Sequence, residues 1–310
     1  MPRVSAIIPA YNAARFLPTS IESVIRQTYD QWEIVVVDDG STDDTREVVS
    51  SYAHRLGDKL RYVYQPNAGL PAARNTGIRN AQGDLVALLD ADDIWLPTRL
   101  ERSVAAMDAD PEIGLVHGRF ERVNLEGKHM DNLQPSFPVQ HLSGRISGRI
   151  YTREVHLGCP TVTFRKSCIE KAGWFDETMR ATEDRDLWFR IALHYKVGFI
   201  NETIASYRVS AGSMSSDPER MFKWQTFFVE KHYKSGASGR LQRMQALSSI
   251  YRERADGLYR KSKTREAMYF YSRAALFDPF RVATLYMVAK SAGVTFRDLV
   301  RPGVRSSELP

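Results

Sequence analysis

The stretch EIVVVDDGSTDDT, residues 33–45, decides the fold. Ile34 to Val37 form a run with no polar alternation, the pattern of a strand buried on both faces. The run ends on two carboxylates, Asp38 and Asp39, and then on Gly40 and Ser41. TDDTREVVSSYA (42–53) follows as a helix with acidic residues in its first turn, where the macrodipole favours them. Ser41, Thr42 or Asp43 can cap that helix, which accounts for part of the polarity. A strand covered on both faces that feeds straight into a helix is the repeating unit of an α/β sheet.

The same unit recurs on either side. VSAIIPAY (4–11) reads as a buried strand, and Phe16, Leu17, Ile21, Val24 and Ile25 give residues 16–27 a helical spacing. LRYVYQ (60–65) is a third strand, and residues 70–81 are a helix opened by Gly69 and Pro71. DLVALLDADD (84–93) is a fourth strand that again ends in carboxylates. Residues 97–109 are a helix and IGLVHGRFERV (113–123) a further strand. The pattern predicts an α/β fold with a mostly parallel sheet and helices on both faces. Ligands bind such sheets at the carboxyl ends of the strands. Tyr11-Asn12, Asp38-Asp39-Gly40, Asn67 and Asp90–Asp93 all fall there.

Residues 124–158 are poorly patterned and read as an irregular excursion, an acceptor-side flap. TVTFRKSCIEKAGWFDE (161–177) reads as strand, short helix and turn, 182–195 as a helix, and 196–210 as a pair of strands. Ala211–Pro218 is a linker. Beyond it the pattern is all helical. Tyr251, Ala255, Leu258, Ala267, Tyr271, Ala274 and Pro279 fall at offsets resembling one tetratricopeptide-type hairpin, with another helix at 281–291. The expected division is a catalytic domain over 1–218 and a small, basic, all-α region over 219–310 whose role is packing, membrane-surface or partner contact.

Composition narrows the setting. The 310 residues are 43% hydrophobic and 26% charged, the balance of a globular chain with a buried core. Two cysteines, Cys159 and Cys168, exclude a disulfide framework or a cysteine zinc motif and favour a reducing, cytoplasmic compartment. No run approaches the roughly 20 apolar residues that span a bilayer, and the first eleven residues are too short an apolar run for a secretory signal. Residues 221–310 carry 17 Lys and Arg against 7 Asp and Glu, whereas residues 1–220 carry 26 against 30. A basic tail of this kind is either a solvated helical surface or a peripheral contact with anionic membrane on the inner face of the cell membrane. Nucleic acid is not expected as a partner, because no nucleic-acid-binding motif accompanies the charge.

The chemistry centres on DADD (90–93). Asp90 and Asp92 offer hard oxygen ligands to Mn2+ or Mg2+, and a diphosphate leaving group needs such a cation as charge builds on its oxygen. The plainer reading is a cap for the helix near Pro97. Asp38 and Asp39 could accept from a base N–H or a ribose hydroxyl. Arg74 could neutralise phosphate or hold a carboxylate in bidentate fashion, or form a surface ion pair. Glu183 and Asp184 open a helix behind Thr182. Capping explains them, and a general base for an acceptor hydroxyl is the functional reading. The seven histidines show no H-E-x-x-H spacing, and neither phosphate-binding glycine loop is present.

IIPAYN (7–12), VVVDDGSTDDT (35–45), NAGLPAARNTGI (67–78), LLDADD (88–93), GWFDE (173–177) and EDRDLW (183–188), in this order, resemble the family 2 inverting glycosyltransferases of GT-A fold over roughly residues 4–210. The resemblance implies a nucleotide-sugar donor, UDP-linked by family habit, and a glycan or lipid-linked acceptor. It implies that Pro9, Tyr11 and Asp39 line the base pocket, with Asn12 and Ala91 beside the donor, and that Asn67 and Arg74 contact the nucleotide side. Asp90 then lies near the ribose, Asp92 is the main metal ligand with Asp90 beside it, Asp184 is the catalytic base, and Glu183 is a catalytic-site residue near the acceptor or the base. Many relatives carry a histidine where this chain has Ser210. Its work would pass to Arg208, as a diphosphate contact, or to Ser213. Processive polysaccharide synthases resemble the chain only in part, since their transmembrane helices and Q-x-x-R-W motif do not appear, so transfer of a single sugar is expected. A sugar nucleotidylyltransferase would need a glycine-rich loop where PAYNAARF stands. An inactive transferase-like scaffold is opposed by the intact Asp90, Asp92 and Asp184.

Overall fold

The computed structural model describes residues 1–130, 142–210, 216–236, 238–279, 286–288 and 290. The chain falls into two compact units, one of Met1–Ile150 with Glu154–Ser216, the other of Tyr151–Arg153 with Asp217–Pro310.

The first unit is built on one sheet. Its strands are β1 (Val4–Ala10), β2 (Trp32–Asp38), β3 (Leu60–Tyr64), β4 (Leu85–Leu88), β5 (Ile94–Trp95), β6 (Ile113–Val123), β7 (His129–Met130), β8 (Thr163–Arg165) and β9 (Lys196–Arg208). They lie in the order β3-β2-β1-β4-β8-β6-β9-β5, with β7 on β6. The parallel pairings expected from the apolar runs hold for β3, β2, β1 and β4. The far half is mixed, because the short β8 is inserted antiparallel to both β4 and β6 while β6 and β9 run parallel.

Helices cover both faces. Leu17, Ile21 and Val24 of α1 (Leu17–Ile25), Val49 of α2 (Thr45–Leu56), and Leu100, Val104 and Met107 of α4 (Arg99–Ala109) pack on Ala6, Ile8, Ile34 and Val36. Ile7, one residue out of phase on β1, turns to the other face, as the two-residue period of a strand requires. There α3 (Leu70–Asn80) lies so close that a Cβ on Gly77 would collide with Ile7 Cγ2. This close approach explains the glycine in the helix and sets the position of Arg74 one turn earlier.

Two expected elements differ. The segment 84–93 is not one strand. It ends at Leu88, turns through Asp90–Asp93 and resumes as β5 on the opposite edge, beside β9. The pair of strands expected over 196–210 is one 13-residue strand. Its register against β6 jumps from Gly118↔Ile200 to Arg119↔Thr203, so Asn201 and Glu202 form an exposed bulge where the sequence suggests a turn. In the excursion, residues 131–141 lie outside the described residues. The remainder includes α5 (Ser147–Thr152) and buries Leu142, Ile146, Ile150, Val155 and Leu157.

A short helix α6 (Cys168–Ala172) and then α7 (Glu183–His194) complete the first unit. The second unit holds α8 (Pro218–Lys231), α9 (Arg240–Arg260) and α10 (Thr264–Phe277). Ala255, Leu258, Ala267 and Tyr271 form its small core between α9 and α10, and the Tyr271 hydroxyl donates to Asp256 at 2.6 Å. These are the hairpin positions that the spacing marks. The helix expected at 281–291 lies largely outside the described residues.

Candidate active site

The carboxyl ends of β1, β2 and β3 are tied together by the acidic motif that follows β2. Asp39, 4% exposed, accepts from Gln65 Nε2 (2.6 Å), Ala68 N (2.9 Å) and Gly69 N (2.8 Å). Three of the roughly four acceptor positions of a carboxylate are thus taken by the loop after β3. Asp38 accepts from Ser41 N (2.8 Å) and the Tyr62 hydroxyl (2.6 Å). Burial and Asp38 together hold the Tyr62 phenol above its ordinary range. Asn12, at φ 49°, accepts from Thr42 N, and its own N–H donates to Ser41 Oγ. Asp43 accepts from Thr45 N, but the N-cap of α2 is Asp44, without a side-chain capping bond, so the cap expected at Ser41, Thr42 or Asp43 falls one residue later. Pro9 is buried in β1 opposite Val37, while Tyr11, 55% exposed, and Asn67 present their side chains to solvent beside this knot.

The turn from Asp90 to Asp93 is the second part. None of its carboxylates caps α4, whose N-cap is Thr98. Ser20 Oγ lies 2.7 Å from Ala91 O and 2.8 Å from Asp93 O, and Asp93 Oδ1 accepts from Arg208 N at 2.8 Å. Asp93 is fully buried, and its Oδ2 has no hydrogen-bond partner among the described residues. Burial and the charges of Asp90 and Asp92 hold its carboxyl well above the usual range. Burial and Asp90 push Asp92 up to about 6. No ion pair reaches Asp92 among the described residues.

Arg208, expected to face a diphosphate, is 4% exposed and turned inward. Its Nε donates to Asp92 O (2.8 Å), and Nη1 donates to Asn124 O (3.1 Å) and Leu125 O (2.7 Å). It braces the acidic turn from behind. Ser213 lies outside the described residues.

Arg74 joins the turn to α7. It is 2% exposed, so the surface ion pair is excluded. Its Nη1 donates to Glu183 Oε1 (2.8 Å), and Nη2 donates to Asp90 Oδ1 (2.8 Å) and to Cys159 Sγ (3.2 Å). With both carboxylates engaged, Arg74 does not turn outward to a nucleotide. Burial lifts the Glu183 carboxyl to about 7, against the pull of Arg74 and with the push of Asp184. The next residue of α3, Asn75, donates to Phe175 O (3.0 Å) and Glu177 Oε1 (2.8 Å) and accepts from Phe175 N (2.9 Å). GWFDE is therefore the strap that seats α7 on α3. Arg190 fastens the same strap, pairing with Asp186 (2.6 Å) and donating to Trp174 O (2.8 Å) and to Ala172 O. Thr182 is the N-cap of α7 in left-handed geometry without a side-chain capping bond. Asp184 is half-buried, accepts from Arg185 N (2.6 Å), and has no ion pair among the described residues.

Cys159 lies outside the quoted motifs, and Asn75 lies within NAGLPAARNTGI without an expected role. A single cysteine carries no spacing signal, and Asn75 acts on backbone that is distant in sequence.

Among the described residues no group of three or more His, Cys, Asp or Glu side chains is arranged to hold a metal ion. The donor set is a pair, Asp90 and Asp92. A pair suits Mg2+ or Mn2+, which commonly bind through one or two carboxylates with substrate phosphates and water completing the shell.

Residues 5–171 match the model of Glycosyl transferase family 2, more than half of the chain. The chain belongs to this family. Glu183 and Asp184 lie beyond the matched residues. This family 2 chain is 36% identical over 193 residues to an uncharacterized glycosyltransferase of Rickettsia conorii, covering 61% of this chain but 31% of the relative. It thus spans about a third of that relative's length. It is 31% identical over 224 residues to the Escherichia coli UDP-Glc:alpha-D-GlcNAc-diphosphoundecaprenol beta-1,3-glucosyltransferase WfgD, covering 72% of this chain and 83% of WfgD. Residues 1–349 of S. aureus TarS in complex with UDP-GlcNAc share the fold at TM-score 0.63 and 18% identity, over 96% of this chain and 93% of that one. The mannosyltransferase PcManGT from Pyrobaculum calidifontis, in complex with GDP-Man and Mn2+, does so at TM-score 0.60 and 20% identity, over 94% and 86%.

Proposed function

We propose that this chain transfers one sugar, with inversion, from a nucleoside diphosphate sugar, UDP-linked by preference, to an acceptor hydroxyl in cell-surface glycan synthesis. The observation that carries the proposal is the buried Arg74 bridge. It draws Asp90, from the end of β4, and Glu183, from the start of α7, onto one guanidinium. That leaves Asp92 and Asp184, the neighbours of the two bridged residues, outside any ion pair among the described residues.

Asp184 takes the proton of the acceptor hydroxyl as its oxygen attacks the anomeric carbon, opposite the departing diphosphate. Glu183 is a positioning residue, since its oxygen is engaged by Arg74 and its role is to fix the start of α7. Tyr11, Asn67 and the remaining acceptor position of Asp39 take the nucleoside. Asp92, with Asp90 beside it, would hold Mn2+ or Mg2+. A cation bound there neutralises the charge that develops on the leaving diphosphate. The Mn2+ and GDP-Man named for PcManGT, the UDP-GlcNAc named for TarS, and the lipid-diphosphate acceptor named for WfgD support this assignment.

Residues 1–218 would form the catalytic domain and 219–310 its basic helical extension. Among the described residues no helix is long and apolar enough to cross a membrane. The extension exposes Phe227, Leu241, Tyr269 and Leu276 amid its excess of lysine and arginine, which suits peripheral contact with an anionic cytoplasmic leaflet. Flotation with anionic vesicles should carry the full chain and leave behind a chain ending at Pro218. Equal flotation would remove the membrane assignment.

The test of the donor is calorimetric titration of UDP with Mn2+ and again with EDTA. Binding that requires the metal supports the assignment. Absence of binding by UDP, GDP and dTDP alike would overturn it.

A further inference from the structure

We infer that Arg180 is a substrate-phosphate contact, poised at the mouth of the site between Gly69 and α7. The inference rests on the proposed donor chemistry and adds a residue that no motif marks.

Three arginines around the acidic cluster are committed to other partners. Arg74 is buried against two carboxylates and a thiol, Arg208 against three carbonyls, and Arg190 against Asp186 and two carbonyls. Arg180 differs. It is exposed and forms no hydrogen bond or ion pair among the described residues.

Its placement is nevertheless rigid at the base. Met179 is fully buried and Ala181 is 4% exposed, so the backbone is clamped on both sides. Met179 N closes a turn on Asp176 O, and Thr182 follows in left-handed geometry at φ 62°. From this pedestal the guanidinium reaches over Gly69, whose φ is +94°. A Cβ built there would stand 2.7 Å from Arg180 Nη1. The Gly69 N–H is the one that donates to Asp39 Oδ2. The free guanidinium therefore lies on the loop held by Asp39 and three residues ahead of Glu183, joining the proposed nucleoside side to the proposed acceptor side.

A planar guanidinium with unused donors is suited to phosphate oxygens, which it can grip in pairs. The acids already in the site would repel a diphosphate, and an uncommitted guanidinium adds to the offset that a bound divalent cation would supply. Two sources carry this chemistry: the diphosphate of the donor, and the phosphate of a lipid-linked acceptor.

The test uses the full chain and the exchange Arg180→Gln, with Arg180→Lys beside it. Arg180 is exposed, so both variants should melt with the parent. The parent is first titrated with UDP, GDP and dTDP in Mn2+, and the tightest is carried forward with its phosphate-free nucleoside. A donor contact predicts that R180Q binds the diphosphate about ten-fold more weakly, binds the nucleoside unchanged, and is partly restored by R180K. An acceptor contact predicts unchanged diphosphate binding. In that case the nucleotide-saturated R180Q protein binds farnesyl diphosphate about ten-fold more weakly than the parent, and farnesol equally well. Equal losses for diphosphate and nucleoside, or no change with any probe, would overturn the inference and leave the donor assignment standing. A parent that binds no nucleoside diphosphate overturns the donor assignment, and the inference with it.

Discussion

Arg74 and Glu183, 109 positions apart in sequence, meet at 2.8 Å inside the protein, and the same guanidinium holds Asp90 at 2.8 Å. One buried cation thereby fixes the distance between the acidic turn after β4 and the first turn of α7. The two residues proposed for chemistry, Asp92 and Asp184, are attached to these two anchors. The anchors are paired and buried, whereas Asp92 and Asp184 are partly exposed and outside any ion pair among the described residues.

Arg74→Lys should therefore be far from conservative. A lysine offers one point charge where a fork now serves two carboxylates and a thiol. Breaking a buried pair leaves uncompensated charge, at a cost of about 3–5 kcal/mol. Urea unfolding should report a loss of that order, with transfer activity lost as well. An R74K protein as stable and active as the parent would remove the bridge from the explanation of the site.

Asp184→Asn separates chemistry from binding. The amide oxygen can still accept from Arg185 N, so the start of α7 should persist. It cannot take a proton, and loss of a general base typically lowers rate by about 10²–10⁴-fold. Calorimetry should show donor binding close to that of the parent, and a radiolabelled-sugar assay should show transfer reduced within that range.

Asp92→Asn tests the cation. If Asp92 is the principal ligand, nucleoside diphosphate binding in D92N should become insensitive to EDTA and weaker than parent binding in Mn2+. Retained stimulation by Mn2+ would place the ion on other groups.

The sequence reading and the structure part company at identifiable places. Apolar runs such as Ile34–Val37 made the parallel half of the sheet legible, because burial on both faces leaves a pattern within a few residues. The antiparallel insertion of the three-residue β8 leaves no such pattern. The bulge at Asn201 and Glu202 imitates a turn, since both expose polar residues in a strand. Asp39, Asp90, Asp92, Glu183 and Asp184 were visible as acids at element ends. Their partners were not, since Arg74 could equally serve a phosphate, a carboxylate or the surface, and only its burial decides. Arg208 misled for the same reason. Its side chain satisfies carbonyls of residues 92, 124 and 125, groups with no sequence signature.

Glu183 gives the bridge a pH signature. Its carboxyl, ordinarily near 4.5, is lifted to about 7 in the folded chain, chiefly by burial. A raised carboxyl favours the protonated form in the native state, so the folded chain binds more protons than the unfolded chain between those two values. Its contribution to stability is then fully present below about 4.5 and is lost as pH rises through about 7. Asp92 and Asp93, raised by burial and by neighbouring acids, slope the same way and remain in any Glu183 variant. Glu183→Gln removes one titrating group and keeps the shape of the side chain. Urea unfolding at pH 5 and pH 7.5 should therefore show a smaller fall in stability for E183Q than for the parent, by about 1–3 kcal/mol at roughly 1.4 kcal/mol per unit of pKa. An equal fall in both proteins would mean that Arg74 keeps Glu183 ionised throughout, with its carboxyl in the ordinary range despite burial.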